Sequence, residues 1–272
     1  MNYQEKKEML LQYLDKLASK DIAVAFSGGV DSSLLLYMAT QASKLYRTTV
    51  YAVTLHTALH PTGDLEYAAE IAAQFGAQQI VIEVDEMKEA DIDHNPVDRC
   101  YRCKKLLFTK IIDFAQKNNV DVVLDGTNAD DLTVYRPGIK ALVELGVISP
   151  LAKFGFTKDE VRLLAKEHGI QSASRPSAPC LATRFPYNTP ITQEQLDSVD
   201  LAEQFIKQFG FYNLRVRVHK DIARIEVDEA EIPKIMQHRL EIVSKLHLLG
   251  YNYITLDLEG FYSGSMDRNI EK

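Results

Sequence analysis

Ser27-Gly28-Gly29-Val30-Asp31-Ser32 places two glycines, two hydroxyls and a carboxylate directly behind the apolar run Ala23-Val24-Ala25-Phe26. Successive glycines permit positive φ and leave backbone N–H groups uncovered, and a helix opened by Asp31, Ser32 and Ser33 turns its positive end on the same point. Such a junction of strand, glycine turn and helix is a seat for a phosphate. No lysine follows at the G-x-x-x-x-G-K spacing, so this is not the phosphate cradle of phosphoryl-transfer enzymes. Asp31, and Asp125 in Asp125-Gly126-Thr127-Asn128, could share Mg²⁺ with a nucleotide's phosphates, because hard cations prefer carboxylate oxygen. Helix capping is the plainer role for Asp31.

Sulfur chemistry is the second possibility. Cys100 and Cys103 form Cys-x-x-Cys among Arg99, Arg102, Lys104 and Lys105, whose charges favour thiolates, and Cys180 lies far along the chain. An odd count of 3 cysteines in 272 residues is too sparse for a disulfide framework and points to metal ligation or reactive thiols. A structural zinc would need His94 or His168 as fourth ligand, and neither is closely spaced with the pair. Three thiolates suit a [4Fe–4S] cluster with one open iron; a redox dithiol is a third reading, and three unconnected cysteines the plainest. Arg215 and Arg217 are two apart on an expected strand and share a face that His219 continues, a pairing suited to carboxylate or phosphate. Arg184 beside Cys180 either binds an anion or solvates its loop.

These residues need a scaffold. Strands are expected at residues 22–26, 49–54, 79–84 and 120–125, separated by helices that include one from Gly63 to Phe75 and one from about Cys103 to Asn118. That alternation implies a doubly wound parallel α/β sheet, with ligand at the carboxyl edge where Gly28 and Asp125 emerge and to which Cys100, after the third strand, and Cys180, after a fifth, could return. Thr157-Lys158-Asp159-Glu160 and Thr192-Gln193-Glu194-Gln195 are capping boxes. Pro176, Pro179, Pro186 and Pro190 make residues 172–190 a loop. Beyond it a helix, a hairpin turning at Lys220-Asp221, a helix to Leu249 and a strand from Tyr251 to Leu258 form a smaller α+β domain. The boundary falls near residues 186–191, giving domains of 1–188 and 189–272. A formal charge of −7 argues against a nucleic-acid surface. Neither a signal peptide nor a run of apolar residues long enough for a membrane span is visible, which points to the cytoplasm.

The hexapeptide at Ser27 resembles the PP-loop of ATP pyrophosphatases, in which an acceptor attacks the α phosphorus of ATP and pyrophosphate leaves. Taken with Asp125 to Asn128, Tyr135-Arg136-Pro137-Gly138, Pro179 to Tyr187, Val216 to Glu226 and Leu256 to Phe261, the whole chain resembles the LarE family, ATP-dependent sulfur transferases of nickel-pincer nucleotide biosynthesis. The resemblance implies adenylation of a carboxylate of pyridinium-3,5-biscarboxylic acid mononucleotide and its conversion to a thiocarboxylate. It assigns Ser27, Gly28, Gly29, Asp31, Ser32, Gly126 and Thr127 to ATP and Mg²⁺, and Arg184, Arg215, Arg217 and Glu203 to the substrate. In the single-cysteine form the thiol at Cys180 gives up its own sulfur. Having Cys100, Cys103 and Cys180 resembles the branch in which three cysteines hold a [4Fe–4S] cluster and an extra sulfide is transferred. The supplier of that sulfide is not specified; a homo-oligomer, in the family a hexamer, is implied. Competing readings are tRNA thiolation, which the negative charge opposes, an amidase, which would not need the cysteines, and a non-catalytic nucleotide-binding sulfur-carrier scaffold.

Overall fold

The computed structural model describes residues 1–133, 137–176, 179–262 and 264–268. Two units are resolved by their internal packing: Met1–Thr57, Gly63–Ala90 and Asp98–Ser177 form the first, and Ala58–Thr62, Asp91–Val97 and Ala178–Lys272 the second. The second unit thus takes in residues 179–188 and two earlier excursions of chain, ahead of the boundary expected from the sequence.

Helix α1 (Tyr3–Leu17) opens the first unit with an Asn2–Glu5 capping box and buries Leu10 and Leu14, while Leu11 faces solvent. There follow β1 (Ile22–Ala25), α2 (Val30–Tyr46), β2 (Val50–His56), α3 (Asp64–Phe75), β3 (Gln78–Glu83), the single turn α4 (Glu86–Glu89), α5 (Arg99–Lys117) and β4 (Val122–Leu124). The strands pair in parallel in the order β3-β2-β1-β4, so the α/β expectation holds and β1 is flanked on both sides. Successive side chains on a strand point to opposite faces. Accordingly Ile22 and Val24 join a core with Leu10, Leu34 and Leu164, while Ala23 between them joins Val53, Phe108 and Ile111 on the other face. Burial on both faces explains why β1 is apolar throughout.

The fifth strand that was expected ahead of Cys180 does not form among the described residues; beyond β4 there is one parallel bridge, Leu124 to Ile148. Pro150 opens α7 (Pro150–Lys153) two residues later, after α6 (Pro137–Glu144), and the chain turns helical before a ladder can extend. Helix α8 (Lys158–Glu167) closes the unit; its Thr157–Glu160 capping box forms, and Gly169 follows with φ +68°.

In the second unit α9 (Gln193–Lys207) begins at the Thr192–Gln195 capping box. Strands β5 (Leu214–His219) and β6 (Ile222–Val227) make the hairpin, with Lys220 at φ +60°. One helix was expected next and two form, α10 (Ile232–Gln237) and α11 (Arg239–Leu248). His238 separates them, and its ring stacks on Phe209 with centroids 4.1 Å apart. Strand β7 (Tyr253–Leu256) pairs in parallel with β6. Among the described residues no helix is long and apolar enough to cross a membrane.

Candidate nucleotide and thiol site

Strand β1 delivers the glycine turn in fixed register, because the Phe26 N–H donates to Val53 O at 2.9 Å. Gly28 adopts φ +72°, and a Cβ there would stand 3.1 Å from the Tyr67 ring, so both conformation and space call for glycine. Gly29 is the N-cap of α2 and has no side chain to satisfy the first helical amides, which leaves them to an outside acceptor. Ser32 Oγ donates to Gly29 O at 3.1 Å and lies 3.3 Å from Ser27 Oγ, bracing the turn from within.

Asp31 is not a helix cap. Its carboxylate accepts from Asn128 Nδ2 at 3.0 Å and pairs with the Lys158 ammonium. Asn128 is held for this by its side-chain Oδ1, which accepts from the backbone amides of Asp130 and Asp131 at 3.0 and 3.2 Å. Buried Asp125 accepts from Thr127 Oγ1 at 2.5 Å and from Ser149 Oγ. Gly126 lies against the first turn of α2: a Cβ there would come within 2.9 Å of Ser32 N. The structure therefore brings Ser27, Gly28, Gly29, Asp31, Ser32, Asp125, Gly126 and Thr127 to one edge of the sheet.

Three partners at this edge were not singled out from sequence: Asn128 and Ser149, which orient carboxylates, and Lys158. Lys158 lies 127 positions from Asp31, a separation no local pattern spans. One signal was present, since a lysine in the first turn of a helix opposes the helix dipole and needs another reason to be there.

Helix α5 starts at Arg99, four residues earlier than expected, so Cys100 lies in its first turn and Cys103 at the start of its second, on one face at i, i+3. Cys100 is exposed and Cys103 half-buried, and neither they nor Cys180 is in a disulfide. Lys104 crosses Gly138, where a Cβ would lie 2.9 Å from its Cδ and 3.2 Å from Cys100 O, and its ammonium stands 3.9 Å from Asp125. The thiol helix is thereby tied to the carboxyl edge that carries the glycine turn. Tyr135 and Arg136 of the quoted segment lie outside the described residues. His94 pairs with Asp93 at 3.1 Å, and His168 packs on Tyr37.

Cys180, Arg184, Glu203, Arg215 and Arg217 belong to the second unit. Arg184 does not solvate a loop: it is 1% exposed and makes a two-pronged pair with Glu203 at 2.8 and 2.9 Å. Burial raises the Glu203 carboxyl, yet Arg184, the Val216 amide and Lys207 together hold it below the usual carboxylate range. Arg215 and Arg217 sit on a strand buried on both faces. Arg217 pairs with Glu226, which also accepts from Arg224 and Ser265. Arg215 lies over the Phe261 ring, and burial, then the nearby Arg184 charge, push it down to about 10. His219 is likewise lowered, by burial and then by Arg224.

Residues 16–142 match the asparagine synthase family. The chain is 37% identical, over 98% of its own length and 95% of the relative's, to pyridinium-3,5-bisthiocarboxylic acid mononucleotide synthase of Lactiplantibacillus plantarum. It is 36% identical over 99% of both chains to an uncharacterized protein of Synechocystis, and 26% identical to a GMP synthase of Aeropyrum pernix, covering 73% of this chain and 42% of that one. Full-length similarity at this level, together with the glycine turn and the paired thiols at one sheet edge, makes the chain a member of the LarE family, that of pyridinium-3,5-bisthiocarboxylic acid mononucleotide synthase.

Proposed function

We propose that the protein is an ATP-dependent sulfur transferase acting on pyridinium-3,5-biscarboxylic acid mononucleotide. A substrate carboxylate oxygen attacks the α phosphorus of ATP, the α–β bridging bond breaks, and pyrophosphate leaves. A sulfur nucleophile then attacks the acyl-adenylate carbon, AMP leaves, and a thiocarboxylate remains. AMP solves the central difficulty, that a carboxylate oxygen is a poor leaving group.

The observation that carries this reading is that the glycine turn and the Cys100–Cys103 pair open on the same edge of one sheet, joined through Lys104 and Asp125. The uncapped amides behind Gly29 suit the departing pyrophosphate, and the Lys158 ammonium stands where it can neutralise charge building there. Asp31 and Asp125 offer the oxygen ligands that Mg²⁺ takes. Cys100 and Cys103, reduced and at one helix start, fit two positions of a [4Fe–4S] site, with Cys180 as the third ligand. Such a cluster, when bound, supplies a sulfide nucleophile that can be replaced after each transfer. Buried Arg215 and Arg217 match the phosphate and carboxylates of the substrate. The family resemblance adds a homo-oligomer working in the cytoplasm.

Incubation with substrate and Mg-ATP is expected to release AMP and pyrophosphate; ADP and orthophosphate would overturn the assignment. Anaerobically purified protein should contain iron that falls with sulfur transfer in each of Cys100→Ala, Cys103→Ala and Cys180→Ala. A single turnover retained by the first two, with Cys180 losing the mass of H₂S, would instead identify Cys180 as the donor.

A further inference from the structure

Cys180 is the N-cap of a 3₁₀ turn over Leu181–Arg184, and its backbone is held at several points. Its carbonyl accepts from the Thr183 amide at 3.1 Å, from Thr183 Oγ1 at 2.8 Å and from Arg184 Nη1 at 3.3 Å. Arg184 Nη1 also donates to Pro179 O at 2.9 Å, on the other side of the cysteine. The next amide, Leu181 N–H, donates to Leu59 O at 2.8 Å, and Arg217 Nη1 donates to Thr183 O at 2.9 Å. Further on, Asn95 Nδ2 donates to Phe185 O and Pro186 O at 3.1 and 2.8 Å.

Arg184 can grip these carbonyls only because its own position is fixed. Its Nε and Nη2 are spent on Glu203, and Glu203 in turn accepts from the Val216 amide at 3.0 Å, anchoring the pair to β5. Two buried charges are costly unless fully hydrogen-bonded, and a pair of aliphatic residues would fill the same space more cheaply. What aliphatics could not do is reach two successive carbonyls while held by a carboxylate; that requires the planar fork of a guanidinium. With Nε, Nη1 and one Nη2 hydrogen directed at protein acceptors, Arg184 is engaged chiefly inside the protein.

We propose that Arg184, locked by Glu203, is a positioning residue that fixes the Pro179–Cys180 backbone and so sets where the Cys180 thiol is presented. The consequence for sulfur transfer rests on the function proposed above, whereas the geometric claim does not.

Arg184→Lys keeps a charge opposite Glu203 but cannot hold Glu203 and both carbonyls together. In the full-length protein, after chelation of any iron, iodoacetamide labelling followed by peptide mass spectrometry gives the rate at Cys180 relative to Cys100. That ratio should rise at least threefold in the variant, because a loosened turn exposes a half-buried thiol more often. Glu203→Gln, which retains an acceptor for the Val216 amide, should shift the ratio in the same direction and stands in if Arg184→Lys does not melt cooperatively. An unchanged ratio in a cooperatively melting variant overturns the clamp. With substrate present, sulfur transfer should fall at least fivefold further than ATP–pyrophosphate exchange; equal losses would mean that Arg184 only supports the fold. A raised labelling ratio together with full sulfur transfer by Cys180→Ala would leave the clamp standing and remove Cys180 from the reaction.

Discussion

The Asp31 carboxylate is shared between an amide from the loop after β4 and an ammonium from the start of α8. On the proposed function, a cation arriving with ATP would compete with Lys158 for that carboxylate. Lys158→Gln is therefore expected to lower the Mg²⁺ concentration giving half-maximal pyrophosphate release, while the maximal rate falls on the order of a hundredfold, as for removal of one donor to a developing anion. An unchanged rate would make Lys158 merely a brace for Asp31. Glu203 carries a pH signature. Because its folded value lies below the ordinary one, its share of stability is complete above about pH 4.3, the unfolded value, and is lost as pH falls through the folded value. Glu203→Gln should cost about 3 kcal/mol in urea unfolding at pH 7, since Arg184 is left buried without its counter-charge. The gap to wild type should narrow below about pH 4. A gap independent of pH would mean that packing, not charge, holds the pair.

At the scale of elements, what matters is how helix starts meet strand ends. Gly126 fits against the first turn of α2, where a Cβ would meet the Ser32 amide at 2.9 Å, whereas Gly76 has positive φ and open space around it. Gly126→Ala should force β4 and α2 apart, cost about 1–3 kcal/mol and depress pyrophosphate release. Gly76→Ala should cost only about 1 kcal/mol of backbone strain and leave turnover alone. Equal behaviour of the two in thermal melts and activity assays would deny Gly126 its place in the site. The Thr157 cap has a double role, because it fixes the helix start from which Lys158 reaches Asp31. Thr157→Ala should cost about 1 kcal/mol and lower pyrophosphate release as well; loss of stability alone would separate the cap from the site.

For the whole molecule, the division into two units separates the residues proposed for ATP from those proposed for the pyridinium nucleotide. A non-hydrolysable Mg-ATP analogue should slow hydrogen exchange at residues 26–33 and 125–131, whose amides line the glycine turn and the Asn128 loop, and leave β5 and β6 unchanged. Protection appearing first on β5 and β6 would place the nucleotide on the wrong unit.

Much of this was determined locally. The continuous apolar run of β1, the two capping boxes, the glycine stops at Gly76, Gly169 and Gly210 and the hairpin at Lys220 each follow from residues a few positions apart, and each is present. The glycine turn was legible for the same reason, since its chemistry sits in six consecutive residues. Tertiary structure decided what depends on distant partners. Ile148 makes only one bridge because the helix at Pro150 intervenes, and the apparent single helix through His238 is two. Asp31, a plausible cap by its position, is an ion-pair partner of a lysine far along the chain. Arg184, a plausible surface anion ligand beside Cys180, is buried on a glutamate from α9. A side chain's neighbours in sequence fix its backbone, but what a charged group pairs with is settled only when burial removes water and leaves one partner within reach.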